Sequence, residues 1–322
     1  MKNIFERDWV RKLFSLILTF VVIQILISTN IINDYLQATL ATICINIILA
    51  VSLNLITGFT GQFSLGHAGF MSIGAYTCAL ITMRIPTIYG FILGVFSGAI
   101  LAAIVGVLVG LPTLRLRGDY LAMATLGMSE IIRIVFENLE ITNGPAGLNG
   151  IPRFVNWTWL FILTAGTVLA ITNFLKSSHG RACISIREDE IAAEAMGINT
   201  TKYKVMAFTI GAFCAGIAGA VYASYFYFIK PNLFGFAKSI DILVIIVFGG
   251  LGSISGSILS AILLALISTY LQSFPEIRMI LYSLLLIIIM VFRPQGLMGS
   301  KEVSLSVFSK LGKMFKPEKG RE

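Results

Sequence analysis

Charge is what this 322-residue sequence has least of: Asp, Glu, Lys and Arg together make up 12% of it, against about 25% in an ordinary soluble domain. The shortage comes in blocks. No charged residue occurs in 13–33, 35–83, 85–114, 154–175, 205–229 or 242–275. A helix on a soluble domain needs a polar face, and these blocks have none. Nucleotide chemistry is missing too, because no G-x-x-x-x-G-K-[ST] loop is present to cradle phosphates. Histidine is scarce, with His67 and His179 alone, and neither an H-E-x-x-H pair nor a nucleophile elbow occurs. Cys44, Cys78, Cys183 and Cys214 stand singly, without metal-ligand spacing or the look of a disulfide framework. These absences argue against a large soluble domain, a self-powered ATPase and a densely ionisable catalytic centre. No catalytic residue and no metal ligand is expected.

What is present is apolar length. Hydrophobic residues make up 57% of the chain and its mean hydropathy is +0.88. A spanning helix needs about 20 apolar residues to cross a hydrocarbon core of about 30 Å, so each block accommodates at least one span. The fold class expected is an all-α membrane protein of about ten spans. They fall near 10–29, 35–57, 67–84, 88–111, 119–138, 156–175, 204–228, twice within 239–273, and at 276–292. Lys2, Arg7, Arg11 and Lys12 precede the first run, but no small-x-small cleavage site follows Ser28. An uncleaved first helix over 13–31 is therefore expected. The net charge of +8 lies in short connections and at the two ends, with no basic–aromatic groove, so it points to a lipid bilayer and not to nucleic acid.

Parity and charge orient the spans. Of the 24 Lys and Arg, eighteen fall in the connections that alternate to one side, counting Lys204 at the edge of 176–203, and five in the others. Basic residues are retained inside, which places both termini in the cytoplasm. Read as one helix, 242–275 would measure about 51 Å, far beyond a bilayer, and would strand the basic tail outside. Two passes, or a broken hairpin turning at 249–253, restore the parity. The expected organisation is a cytoplasmic segment 1–12, one transmembrane domain over 13–292 with a cytoplasmic loop at 176–203, and a basic cytoplasmic tail over 293–322. Spans two to five and seven to ten then run in opposite senses, which is what an inverted repeat would produce.

Polar residues inside the apolar blocks are the candidates for function. Segment 58–74 mixes Gly58, Gly61, Gly66, Gly69 and Gly74 with Thr60, Gln62, Ser64 and His67. Non-helical backbone at membrane depth is tolerated only against protein or a watery cavity. Thr60, Gly61, Gln62, Ser64, Gly66 and His67 are thus candidates for a translocation pathway, and small-residue packing with an interfacial turn is the alternative. Glu130 and Arg133 stand three residues apart on one helical face, as an intramembrane ion pair that either lines a path or neutralises itself. Gly211, Ala215, Gly216, Ala218 and Gly219 are read as helix packing. In the 176–203 loop, Ser185 and Glu188 have capping-box spacing, and Gly197 sits where a closing glycine belongs. They delimit a short helix over 186–196, with Ile191 and Ala195 on an apolar stripe and Asp189, Glu190 and Glu194 supplying acid. Such a helix suits docking into a groove on a soluble partner; an interfacial helix would favour Lys and Arg on its polar face.

These residues also carry a resemblance. Leu53-Asn54-Leu55, Thr60-Gly61-Gln62, Ser64-Leu65-Gly66-His67-Ala68 and Ile73-Gly74-Ala75-Tyr76 resemble the first signature of the branched-chain amino-acid ABC permeases, the LivM-like subunits in particular. Further similar stretches are 114–122, 143–152, 187–198, Val247-Phe248-Gly249-Gly250-Leu251-Gly252-Ser253 and Phe292-Arg293-Pro294-Gln295-Gly296-Leu297. His179 and Cys183 depart from it, standing where more hydrophobic residues are expected. The resemblance implies a permease subunit of an ATP-driven importer in a bacterial or archaeal plasma membrane. It implies a related second permease, two ATPase subunits that use the ATP, and an external solute-binding protein, with no cofactor held by this chain. It makes 186–196 a coupling helix, with Arg187, Asp189, Glu190, Glu194, Ala195 and Gly197 as ATPase-coupling residues. It turns the 143–152 loop, with Asn143, Gly144, Gly147 and Asn149, toward the binding protein. The implied cargo is a branched-chain or other hydrophobic amino acid; related permeases for urea, short amides and other amino acids share the signatures. An autonomous channel or secondary transporter is the competing class, and Glu130 and Asp241 are the acids available to it for ion coupling.

Overall fold

One helix is wrapped by the rest of the chain. In the computed structural model, which describes residues 16–29, 31–116, 118–271 and 296–299 with isolated positions at 280, 284, 287, 291 and 292, α2 (Asp34–Asn54) is buried on almost every side from Ala41 onward. Segments 1–12 and 300–322, and all but those isolated positions of the span expected at 276–292, lie outside the described residues. Helix α1 (Leu16–Ser28) precedes α2. A π-helical turn, Leu55–Phe59, ends α2, and irregular backbone leads to α3 (His67–Arg84), followed by α4 (Ile88–Thr113) and α5 (Asp119–Asn138). Then come strand β1 (Leu148–Asn149), α6 (Trp157–Lys176), α7 (Ser178–Glu188), α8 (Glu190–Ala195) and α9 (Thr200–Phe226). Strand β2 (Phe228–Ile229) pairs antiparallel with β1. Helices α10 (Phe236–Gly249) and α11 (Ile254–Tyr270) follow.

The outward faces show the solvent this fold is made for. Along α4, Leu93, Phe96, Ile100, Ile104, Leu108 and Leu111 are exposed, a stripe at helical spacing. Water would penalise so long an apolar surface; hydrocarbon does not. Among the described residues five stretches are long and apolar enough to cross a membrane: Asp34–Phe59, Ile88–Thr113, Trp157–Lys176, Thr200–Phe226 and Pro231–Gly249, with Leu16–Ser28 and Ile254–Tyr270 as shorter apolar helices. Helices also form at the other expected positions, α3 and α5, but α5 carries Asp119, Glu130, Arg133 and Glu137.

Between helices in lipid there is little hydrophobic drive, so close backbone approach does the packing. A Cβ placed on Gly74 of α3 would lie 2.0 Å from the Gly216 carbonyl oxygen of α9, and one on Gly219 of α9 would lie 1.9 Å from the Met71 oxygen. The obstacles are backbone atoms, which no rotamer change moves. Gly211, Ala215, Gly216, Ala218 and Gly219 are all buried, with Gly211 against Ser52 and Ile56 and Gly216 against Gly98, Ala99 and Ala102. Gly74→Val and Gly219→Val are each expected to remove the chain from the membrane fraction, by immunoblot. Gly166→Ala, where nothing lies within 4 Å of the added atom, should leave the level unchanged.

Candidate functional site

Three interruptions of the helices meet in the fold. The first is the π-turn after α2. With an extra residue per turn, it leads the chain into 61–66, where the Thr60 hydroxyl donates to the Leu55 carbonyl at 2.9 Å and the Gln62 N–H to the Ile56 carbonyl at 3.1 Å. The second is the α10–α11 turn at 250–253, with Gly250 and Gly252 at φ 110° and 86°. It falls where parity requires a break. Residues 296–299 fold back onto it, the Leu297 and Met298 N–H groups donating to the Phe248 and Gly249 carbonyls at 2.9 and 3.2 Å. The third is the connection between α6 and α9.

Asn54 joins the first two. Its Nδ2 donates to the Ser253 carbonyl at 2.9 Å and to the Ser257 hydroxyl at 2.8 Å, and its Oδ1 accepts from the Gly252 N–H at 2.9 Å. All four residues are buried there. Gly58 is needed beside it, since an added Cβ would meet Asn54 Oδ1 at 1.7 Å. In the sequence Asn54 stands within the Leu53-Asn54-Leu55 stretch of the resemblance, where nothing local shows this joining role.

Arg187 joins the third. Its Nη1 donates to the Gly58 carbonyl of the π-turn at 2.9 Å. Gly61, at φ +75°, lies against its stem, and an added Cβ on Gly252 would stand 2.7 Å from the same Nη1. Arg187 also pairs with Glu188, which is more exposed. One guanidinium therefore touches both helix breaks from the α6–α9 connection.

That connection corrects the sequence reading. Two helices stand where a single one over 186–196 was expected. Ser177 starts α7, its Oγ accepting from the Gly180 N–H at 3.3 Å, so Ser185 lies inside a helix and its hydroxyl donates back to the Ala182 carbonyl at 2.9 Å. The capping box at Ser185–Glu188 does not form. The chain breaks at Asp189, whose Oδ1 accepts from the Ile191 and Ala192 N–H groups at 2.9 and 3.0 Å and begins α8. Gly197 closes α8 at φ +83°, its N–H donating to the Glu194 carbonyl at 2.9 Å and the Ile198 N–H to that of Ala193 at 3.1 Å, which is the Schellman arrangement. Glu190 turns inward to Lys204 of α9, at 2.7 Å. Glu194 and Ala195 are exposed, as are Ile191 at 74% and Met196 at 83%. Burial pushes the Cys183 thiol of α7 up to about 11, a contact with the Thr60 hydroxyl opposing it, so it is a neutral thiol at physiological pH.

Thr60, Gln62, Ser64, Gly66 and His67 are buried, whereas Gly61 is exposed. His67 is interior, its Nε2 lying 2.7 Å from the Ser52 hydroxyl. Thr57 Oγ1, both polar atoms of the Gln62 side chain and His67 Nδ1 have no hydrogen-bond partner among the described residues. Glu130 and Arg133 are paired at 2.6 Å, and Arg133 also binds Glu137 at 2.6 Å and the Asn232 oxygen at 3.2 Å. Glu130 further accepts from the Phe236 N–H at the start of α10, at 3.0 Å, so this network clasps α5 to α10. In the 143–150 loop Asn143 and Asn149 are exposed and Gly144 is half-buried, with Asn143 Nδ2 donating to the Gly147 carbonyl at 3.0 Å. Gly147 is buried against the backbone of Ile229, an added Cβ meeting its oxygen at 2.1 Å. Among the described residues no group of three His, Cys, Asp or Glu could hold a metal ion.

Apolar outward faces around an interior of interrupted helices are the architecture of a multi-pass membrane transport protein. The chain belongs to the family of branched-chain amino acid transport system permease components, the membrane subunits of ABC importers, whose model matches residues 35–290. It is 37% identical over 289 residues to the high-affinity branched-chain amino acid transport system permease protein LivM of Escherichia coli, covering 79% of this chain and 68% of that one. To LivH of the same organism it is 27% identical, covering 80% and 92%. A probable LivM permease of Methanocaldococcus jannaschii is 24% identical, covering 80% and 91%. One organism thus carries two permeases related to this chain.

Proposed function

We propose that this chain is the translocating subunit of an ATP-driven importer for branched-chain or other hydrophobic amino acids. It works beside a related second permease, as LivM and LivH similarity in one organism suggests. Two ATPase subunits consume the ATP, and an external binding protein delivers the solute to the side carrying Asn143, Gly144, Gly147 and Asn149. The spans number about ten in a bacterial or archaeal plasma membrane, with both termini and 176–203 cytoplasmic and spans two to five inverted relative to seven to ten.

The observation that carries this reading is the short helix α8, capped at both ends and presenting Ile191 and Met196 to the outside. Apolar side chains held out on a rigid turn, with Glu194 beside them, suit a groove on a soluble partner. Behind α8, Arg187 reaches the Gly58 carbonyl, so movement of the docked helix is delivered to the broken backbone at 58–67. When the two permeases rock apart, the polar atoms of Thr57, Gln62 and His67 that lack partners among the described residues become groups for water or solute to use. Glu194→Lys combined with Gly197→Pro is expected to abolish ATP-driven uptake in reconstituted vesicles while membrane insertion persists. Normal uptake by that variant would remove the coupling assignment.

A further inference from the structure

Helices α2, α10 and α11 enclose a cavity of about 300 Å³ that none of the roles above uses. That volume lies at the lower end of the range for small-molecule sites, roughly 300–1,000 Å³. Its polar wall is Thr42 and Asn46 of α2, Lys238 and Asp241 of α10, and Ser268 of α11. Its apolar wall is Val244 and Ile245 of α10 with Leu264 and Ala265 of α11. Lys238 Nζ reaches Asn46 Oδ1 at 3.4 Å. Lys238 and Asp241 are three residues apart, on one face of α10.

A lone charge among spanning helices is strongly disfavoured, so charges there are paired or functional. A cation and an anion side by side on a cavity wall, facing an apolar wall, are complementary to one class of small solute. A zwitterion replaces the pairing of both charges at once and leaves the site neutral, whereas a singly charged ligand leaves one charge uncompensated.

We propose that this cavity binds a zwitterionic amino acid with an apolar side chain. Lys238, steadied by Asn46, takes the α-carboxylate, and Asp241 takes the α-ammonium group. Val244, Ile245, Leu264 and Ala265 receive the side chain. The cavity is lined by α2, α10 and α11, and α10 and α11 are the two helices joined by the turn that Asn54 of α2 holds. Occupancy of the site is thereby linked to the same helix break that Arg187 touches. The proposal rests on the import reading above, and it adds a selective station inside the membrane, separate from the external binding protein.

The test uses the complete assembly of both permeases and two ATPase subunits in nanodiscs, without binding protein, and measures binding of radiolabelled leucine. Saturable binding is expected. Lys238→Gln and Asp241→Asn should each weaken it on the order of 100-fold, and the exchanged pair, Lys238→Asp with Asp241→Lys, should recover at least about tenfold of that loss. 3-Methylbutylamine, which lacks the carboxylate, and 4-methylpentanoate, which lacks the ammonium group, should compete on the order of 100-fold more weakly than leucine. A second measurement keeps the charges intact: maleimide labelling of Ser268→Cys should be slowed by leucine. An assembly that accumulates leucine with ATP when placed in proteoliposomes with binding protein, but in nanodiscs shows no saturable binding, unchanged affinity in both single variants, or no protection of Ser268→Cys, overturns the site. An assembly that accumulates no hydrophobic amino acid overturns the import reading instead.

Discussion

Arg187→Met should lower ATP-driven amino-acid uptake by about 10- to 100-fold without changing the amount of chain in the membrane. The side chain makes a charge-assisted bond to the Gly58 carbonyl, of a kind worth about 1.5–3 kcal/mol. Its loss falls on the link between α7–α8 and the π-turn, and not on the packing of the spans. The ATPase subunits should still hydrolyse ATP on the variant, because α8 with its Asp189 cap and Gly197 closure is untouched. The diagnostic quantity is therefore the ratio of solute moved to ATP hydrolysed, which should fall with uptake. Arg187→Lys should be intermediate: lysine keeps the charge but presents a point donor in place of the planar fork. Uptake and ratio both unchanged in Arg187→Met would mean that motion reaches the broken backbone by another route.

Asn54→Leu should produce the largest loss of folded protein among single changes near the site. Leucine matches the volume but makes none of the three bonds to Gly252, Ser253 and Ser257. The Gly252 N–H is left buried without its partner, and an orphaned buried group costs about 1–3 kcal/mol. In hydrocarbon no water enters to compensate. The membrane level of Asn54→Leu should drop by about tenfold or more, with early thermal aggregation of what remains. Asn54→Asp should be less damaging to the turn, because it keeps the acceptor for Gly252, yet it introduces a buried anion. Wild-type levels and melting for Asn54→Leu would show that the 250–253 turn holds without α2.

Much of the helical layout is legible in the sequence because the bilayer imposes a length on every charge-free block. The break between α10 and α11 is legible for the same reason: 34 uncharged residues do not fit one crossing, and glycines mark the bend. The α6–α9 connection is legible only in part. Ser185 and Glu188 have the spacing of a cap, but the helix already begun at Ser177 overrides a local signal eight residues later, and Asp189 takes the cap. Gly197 was legible because a left-handed closing residue has few alternatives to glycine. What no local pattern carries is the meeting of distant segments. Arg187 and Gly58 are 129 residues apart, and Asn54 and Gly252 are 198. The partner of His67 is hidden for a related reason: nothing beside it in the sequence shows that its ring lies against Ser52. The surroundings of Lys238 and Asp241 are likewise hidden, because the sequence does not show that α2, α10 and α11 line a cavity beside them.

The central claim is that this chain moves solute only when driven from outside itself. The most direct measurement is the initial rate of leucine uptake into proteoliposomes, binding protein supplied, with this chain alone and then with its second permease and the two ATPase subunits. Uptake confined to the complete assembly, dependent on ATP and lost in the Glu194→Lys, Gly197→Pro double variant, is the predicted result. Leucine flux through the chain alone, indifferent to ATP and to the α8 substitutions, would contradict it and identify an autonomous channel or secondary transporter.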